Sequence, residues 1–304
     1  MEAVRSAADW RPEELATDDW QLPLTAKHRA EVLAAVAATA EMTLADLSPE
    51  AFVLPTLGPI LHCLATGMHS GLGFTLLRGV PVEDLDEQGC ERAAVGIASH
   101  VGGIAPQGPD RARLLHVRDQ GADPLRPTTR SYQHNQQLGY HADPTDIVAL
   151  LCIRPAKSGG LSSIVSPVTV HNEIVRTRPG LAAELYRPWW HDRRSGDGPD
   201  SFFQRPVYSI DSTGRLTTHY GPDYMRSAQR GDHVPALTPQ QETAMNLIEG
   251  LTHDDRFALT MDLRAGDFQL LDNSLVLHSR TAYEDHPEPE RRRDLIRLWL
   301  TTDA

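Results

Sequence analysis

The stretch LGYHADPTD, Leu138 to Asp146, sets a histidine and an aspartate two residues apart, His141 and Asp143. On a β-strand, residues i and i+2 share a face. The pair is therefore expected to aim a neutral imidazole and a carboxylate at one point. The bland alternative is a turn aspartate, because Asp-Pro is a common loop pair. Two ligands do not close a metal site, and 14 histidines in 304 residues make coincidence easy. A third ligand has to come from elsewhere in the chain.

Working outward, DIVALLCI is a continuous apolar run of strand length, followed by the turn RPAKSGG and a second strand candidate, LSSIVS. The two are expected to form a hairpin with a longer loop. SPVTVHNEIVR offers a helix start, with Ser166 as N-cap and Pro167 at the first helical position. LTPQQETAMNLIEG begins another helix, with Thr238 as N-cap and Gln241 completing a capping box. The C-terminal stretches FALTMDL, FQLLDN, LVLHSR and DLIRLWLTT all read as strands. The first third reads mainly as helices, in LTAKHRAEVLAAVAATAEM, PTLGPILHCLATGMHSG and EQGCERAAVGIASHVG, with GFTLLRGVPV as a short buried strand. Between about 190 and 235, Gly, Pro, Asp and Ser dominate around one hairpin pattern, VYSID-STG-RLTTHY, as in binding loops and lids. No repeat or linker divides the chain. One domain over 1–304 is expected, with a helical lead-in at 1–72, a core at 73–304 and a lid at about 190–235.

The third ligand expected is His278, at the end of FQLLDNSLVLH. Its competitors are His219, inside the lid, and His134, too close to His141 for an independent strand. Arg293 and Arg297 stand four apart in RRRDLIRLWL and share one strand face, with Arg292 as the register alternative. A guanidinium suits a carboxylate through its planar fork and permanent charge. One C-terminal hairpin would then offer both a metal ligand and an anion anchor. Two histidines and one carboxylate form the facial triad of non-heme Fe(II) oxygenases.

GYHADPTD, SGGLSSIVSP, LLDNSLVLHSRTAYED and RRRDLIRLWL, in that order, resemble the taurine dioxygenase and clavaminate synthase-like family of Fe(II)/2-oxoglutarate-dependent oxygenases. The resemblance spans roughly Gly73 to Thr301, and the first seventy residues match it only loosely. It implies a mainly β fold with flanking helices (α+β) around a double-stranded β-helix, a cupin-like jelly roll. It implies Fe(II) on His141, Asp143 and His278, and 2-oxoglutarate gripped at its distal carboxylate by Arg293. Ser162 falls where relatives often carry a threonine for the co-substrate carboxylate. Arg297 matches a second family arginine that in some members contacts the substrate's acid group. Gln137 falls near a substrate-contacting asparagine of taurine dioxygenase. No catalytic residue beyond the metal ligands is implied.

The implied activity consumes O2 and 2-oxoglutarate, releases succinate and CO2, and hydroxylates an unactivated C–H bond of a small amino-acid-like or natural-product substrate. Desaturation, epoxidation and ring closure use the same oxidant. Asp143 argues against halogenation, because related halogenases carry Gly or Ala there. Two readings from other classes stand beside this one. A zinc hydrolase also uses three protein ligands and a water, and a jelly-roll binding protein needs no chemistry at all.

Composition narrows the partners. Net charge is -12, from 29 Lys+Arg against 41 Asp+Glu, with one dense basic cluster, ERRRDLIR. A nucleic-acid partner is not expected, and a small-molecule substrate is. No apolar run approaches the ~18 residues of a membrane span, and MEAVRSAADWRPEEL lacks a signal peptide's apolar core. Cys63, Cys90 and Cys152 form no CxxC, so neither a disulfide framework nor a thiolate zinc site is indicated. Reduced thiols in a cytoplasm fit best. Cys152 and the Trp189–Trp190 pair read as core.

Overall fold

Strand β1 (Gln21–Pro23) leads into helix α1 (Ala26–Ala38), where Thr25 caps the first turn by accepting from the His28 amide. Helix α2 (Leu57–Met68) precedes β2 (Phe74–Arg78), and α3 (Glu87–Ser99) starts at Asp86, which accepts from the Gly89 amide. The computed structural model describes residues 2–108, 110–123, 131–194 and 198–302. Short strands β3 (Gly103–Ala105) and β4 (Leu115–Val117) follow, then β5 (Leu138–His141), β6 (Ile147–Arg154), β7 (Ser158–Gly159) and β8 (Ser162–Val165). Helices α4 (Pro167–Thr177) and α5 (Pro179–Glu184) lead to two hairpins, β9 (Trp189–Asp192) with β10 (Phe202–Arg205), and β11 (Tyr208–Ile210) with β12 (Leu216–Thr218). After α6 (Pro222–Ser227), α7 (Pro239–Thr252) carries the expected capping box at Thr238 and Gln241. The chain closes with β13 (Ala258–Met261), β14 (Asp267–Asp272), β15 (Leu277–Arg280), β16 (Tyr283–Glu284) and β17 (Asp294–Thr301).

Two sheets carry the core. The larger runs β1-β2-β14-β6-β17, with β3 and β4 both on the outer side of β17. The smaller runs β13-β8-β15-β5. Side-chain alternation decides which residues meet between them. Val148, Leu271 and Leu295 point inward against Ile164 and Met261 of the smaller sheet. Their neighbours Ala149, Leu270 and Ile296 point outward, where Val32, Leu61 and Ile97 of the first three helices cover them. The outer face of the smaller sheet is covered from α4 and α7, with Ile174 and Met245 among the buried side chains there. Each such fully buried aliphatic side chain contributes roughly 1.5–3 kcal/mol. One contact needs a missing side chain: a Cβ on Gly96 of α3 would lie 2.4 Å from the fully buried Phe52 ring. Any larger residue there would displace the ring from the helix–sheet interface.

The fold is the expected jelly roll with flanking helices, and β11–β12 is the expected hairpin, but the connections β6–β8 and β14–β15 and the C-terminal pair β15–β17 are not hairpins. β6 and β8 lie in different sheets, because β7 pairs with β16 and carries the chain across the sandwich. Gly159 and Gly160 make that crossing at φ +72° and +69°. β14 and β15 are likewise split between sheets, and β17 pairs with β6 instead of β15. Period-2 patterns show which faces are apolar but not which strands pair. The lead-in is not purely helical either. β1 pairs in parallel with β2, and Trp10 packs on Phe74 with ring centroids 5.2 Å apart. Among the described residues, no helix is long and apolar enough to cross a membrane.

Candidate metal and co-substrate site

Strand register places the two histidines. His278 of β15 stands directly opposite His141 of β5, with ring centroids 4.3 Å apart. β5 carries one extra residue between Leu138 and His141 relative to β15, a bulge beside the site. β5 ends at His141, so Asp143 belongs to the following loop and not to the strand. Hydrogen bonds aim it instead. Its amide donates to Asn273 Oδ1 at 2.9 Å, and its Oδ2 accepts from Trp299 Nε1 at 3.0 Å. One ligand-type atom from each of His141, Asp143 and His278 lies within 4.8 Å of the others.

The donor set suits a divalent cation. His141 Nδ1 sits 2.9 Å from Gly139 O, a pairing in which Nδ1 bears the proton and Nε2 keeps its lone pair, 3.8 Å from Asp143 Oδ1. Burial, then the neighbouring His141, pushes His278 down to about 3, so it is a neutral imidazole. Burial would raise the Asp143 carboxyl, but the Arg297 charge, aided by the hydrogen bond from Trp299, outweighs it and favours the carboxylate form. Two imidazole nitrogens and one carboxylate oxygen fit Fe(II). Among the described residues a second group, Glu87, Glu91 and His116, also has ligand spacing. Its members are already engaged: His116 bridges Glu91 and Asp294, and Glu87 pairs with Arg118. His219 lies apart from the triad against His191, and His134 accepts from Arg280 through its carbonyl.

Behind the triad lies a chamber of about 60 Å³ lined in part by Ser162, Arg280, Arg293 and Arg297. Arg293 is only 5% exposed, and its Nη1 is buried with no hydrogen-bond partner. Its charge meets the Tyr283 ring 5.0 Å away but no carboxylate among the described residues, and a buried charge without an ion partner is costly unless an anion joins it. Gly160, at φ +69°, lies so close that a Cβ there would be 3.2 Å from Arg293 Nε. Arg292 points outward and bonds the His286 and Pro287 carbonyls, so Arg293 is the inward register. Ser162 is buried and donates to Gln269 Oε1 at 3.1 Å. Arg280 was not singled out from the sequence. Its signal was its place two residues after His278, on the same strand face. Burial, with Arg293 beside it, lowers Arg280 to about 10.

In front of the triad opens a second chamber of about 300 Å³. Arg297 borders both chambers and is already engaged. Its Nε donates to Gln107 Oε1 at 3.0 Å, and its Nη1 lies 3.6 Å from Asp143 Oδ2. Gln137 borders neither chamber. It is exposed, with its amide 3.4 Å from His253 Nε2. The β5 bulge breaks the alternation that would have set Gln137 and His141 on one face. The far wall comes from the 190–235 segment, of which 195–197 lie outside the described residues. It presents His191, Arg193, Arg194, Phe203, His219 and Tyr224. Only His219 among these was considered from the sequence, and as a metal ligand. Trp189 is fully buried in the core. Beside it, Asp192 is buried and accepts from Arg230, Ser227 and the Arg194 amide. That turn holds Arg194 at φ +52°, a left-handed conformation costing about 1–3 kcal/mol for a non-glycine residue.

A family model described as "Taurine catabolism dioxygenase TauD, TfdA family" matches residues 41–299. FR-33289 synthase of Streptomyces rubellomurinus is 28% identical over 297 residues, covering 93% of this chain and 86% of that protein. Taurine hydroxylase-like protein SAT17 of Stachybotrys chartarum is 29% identical, covering 92% and 75%. The structure of an asparagine oxygenase in complex with Fe(II), 2S,3S-3-hydroxyasparagine and succinate superposes with a TM-score of 0.71. That match has 18% identity over 93% of this chain and 94% of the other, and shows the shared fold.

Proposed function

The chain belongs to the TauD, TfdA family and is an Fe(II)- and 2-oxoglutarate-dependent dioxygenase, and from that premise we propose that His141, Asp143 and His278 hold the iron. The observation that carries this assignment is the register that sets two imidazoles opposite one another beside a buried carboxylate. Bound there, ferrous iron supplies the activation of O2 coupled to oxidation of 2-oxoglutarate to succinate and CO2. Arg293 supplies the charge for the distal carboxylate of 2-oxoglutarate, and Ser162 a hydroxyl beside it. Arg297 acts mainly on Asp143, holding the carboxylate ionised and oriented.

The outer chamber takes the substrate, a small amino-acid-like or natural-product molecule that is hydroxylated at an unactivated C–H bond. Its wall at about 190–235 serves as a lid. Residues 1–304 are read as one oxygenase domain, supported by β1 joining the larger sheet, and the enzyme is read as cytoplasmic. Metal-free protein titrated with Fe(II) under argon should bind one equivalent. With 2-oxoglutarate and air it should then release succinate, faster when a substrate is present. Equal iron uptake by a His141→Ala/His278→Ala variant would reject the ligand assignment.

A further inference from the structure

The outer chamber's far wall carries charge that no carboxylate among the described residues pairs with. Arg193 at the mouth stacks over the Phe203 ring, 4.4 Å from its centroid, and Phe203 in turn stacks on His191 at 5.2 Å. Arg194 lies over Tyr224 at 4.8 Å, and its Nε is buried without a partner. Among the described residues neither guanidinium meets a carboxylate. Nearby arginines do, in a chain with 41 acidic residues: Arg187 with Glu184, Arg226 with Glu249, and Arg230 with Asp192. Asp192 is therefore used up, and among the described residues Asp223 is the other acid lining this wall, so an excess of positive charge remains among them. His191 and His219 are kept neutral, at about 4 and about 3, chiefly by burial. The backbone also works to put Arg194 there, since the Asp192 turn holds it in a left-handed conformation.

We propose that Arg193 and Arg194 anchor an oxyanion group at the end of the substrate remote from the metal, so that this enzyme selects small molecules bearing a phosphonate, phosphate or carboxylate. The inference rests on the outer chamber being the substrate site. It moves the anion anchor away from Arg297, which Gln107 and Asp143 already occupy. The exposed Arg193 over Phe203 and the half-buried Arg194 over Tyr224 form a cationic surface, and a charged hydrogen bond from the half-buried Arg194 is worth more than one at an open surface.

The test is calorimetric. The protein is loaded with Mn(II) and saturating 2-oxoglutarate under argon, which fills the Arg293 end. It is then titrated with propylphosphonate, butyrate and butanamide, probes of similar length that differ in charge. Wild type should prefer the two anions to the amide by about tenfold or more, with affinity falling as salt rises. Phosphonate binding tighter than carboxylate marks a dianionic substrate, and equal binding marks a general oxyanion site. Arg193→Gln/Arg194→Gln should lose the preference, and Arg193→Lys/Arg194→Lys should keep part of it, with both variants binding 2-oxoglutarate as wild type does. Equal binding of the three probes by wild type, or a preference surviving in the glutamine variant, overturns the inference. Failure of wild type to bind 2-oxoglutarate would instead overturn the proposed function.

Discussion

The chambers on either side of the triad are built from different materials. The inner one is walled by strands of the two sheets, with Ser162 on β8, His278 and Arg280 on β15, and Arg293 at the foot of β17. The outer one takes its far wall from two-strand ribbons and a six-residue helix, at β9, β10, β12 and α6. Strands joined on both sides hold a side chain more rigidly than short ribbons can. Inner positions thus suit the part of the reaction common to the family, and outer ones the part that differs between substrates.

The largest expected effect tests the junction between the chambers. His278→Ala should abolish succinate release and weaken metal binding by more than the ~10–100-fold typical of outer-shell losses, measured by metal titration. Next comes the inner chamber alone. Arg293→Met should raise the KM for 2-oxoglutarate by about 100-fold, as expected when a buried charge pair loses one partner. It should also raise the melting temperature of the ligand-free protein, because an unpaired buried cation is removed. An unchanged KM together with a lower melting temperature would mean that Arg293 is structural.

A third prediction concerns the outward neighbour, Asp294. Burial would raise its carboxyl, but hydrogen bonds from His116 and Arg118 hold it at about 2. Its folded value lies below the ordinary ~3.9. Its stabilisation is therefore complete above about pH 4 and is lost as pH falls toward 2. Urea unfolding at pH 3 and pH 6 should show this loss in wild type and a smaller one in Asp294→Asn. The smallest effect belongs to the outer wall. Arg194→Gly should stabilise the protein by about 1 kcal/mol by relieving the left-handed backbone, while weakening substrate binding. Unchanged stability would show that the Asp192 turn already absorbs the strain.

What could be read in advance follows the same division. His141, His278 and Arg293 lie on or beside strands whose period-2 patterns are visible, and a family resemblance supplies their grouping. Strand pairing was not visible, so β6–β8 and the C-terminal strands were expected as hairpins although they cross between sheets. Gln137 failed for a local reason, a one-residue bulge that flips the face of everything before it. Arg193 and Arg194 gave no periodic signal, because a turn built on Asp192 aims them.

Asp143 takes its position from far away in the chain. Asn273 receives its amide, and next to Asn273 stands Asp272, whose Oδ2 is 2.5 Å from His69 Nδ1. His69 closes the end of α2 and also reaches Thr302 beyond β17, 2.9 Å away. The links span 203 and 233 residues, and long loops of this kind close late in folding. The position of Asp143 thus depends on contacts among the N-terminal helices, the middle strands and the last strand. A chain lacking its last strand would keep His141 but lose the Trp299 and Thr302 contacts that help place Asp143.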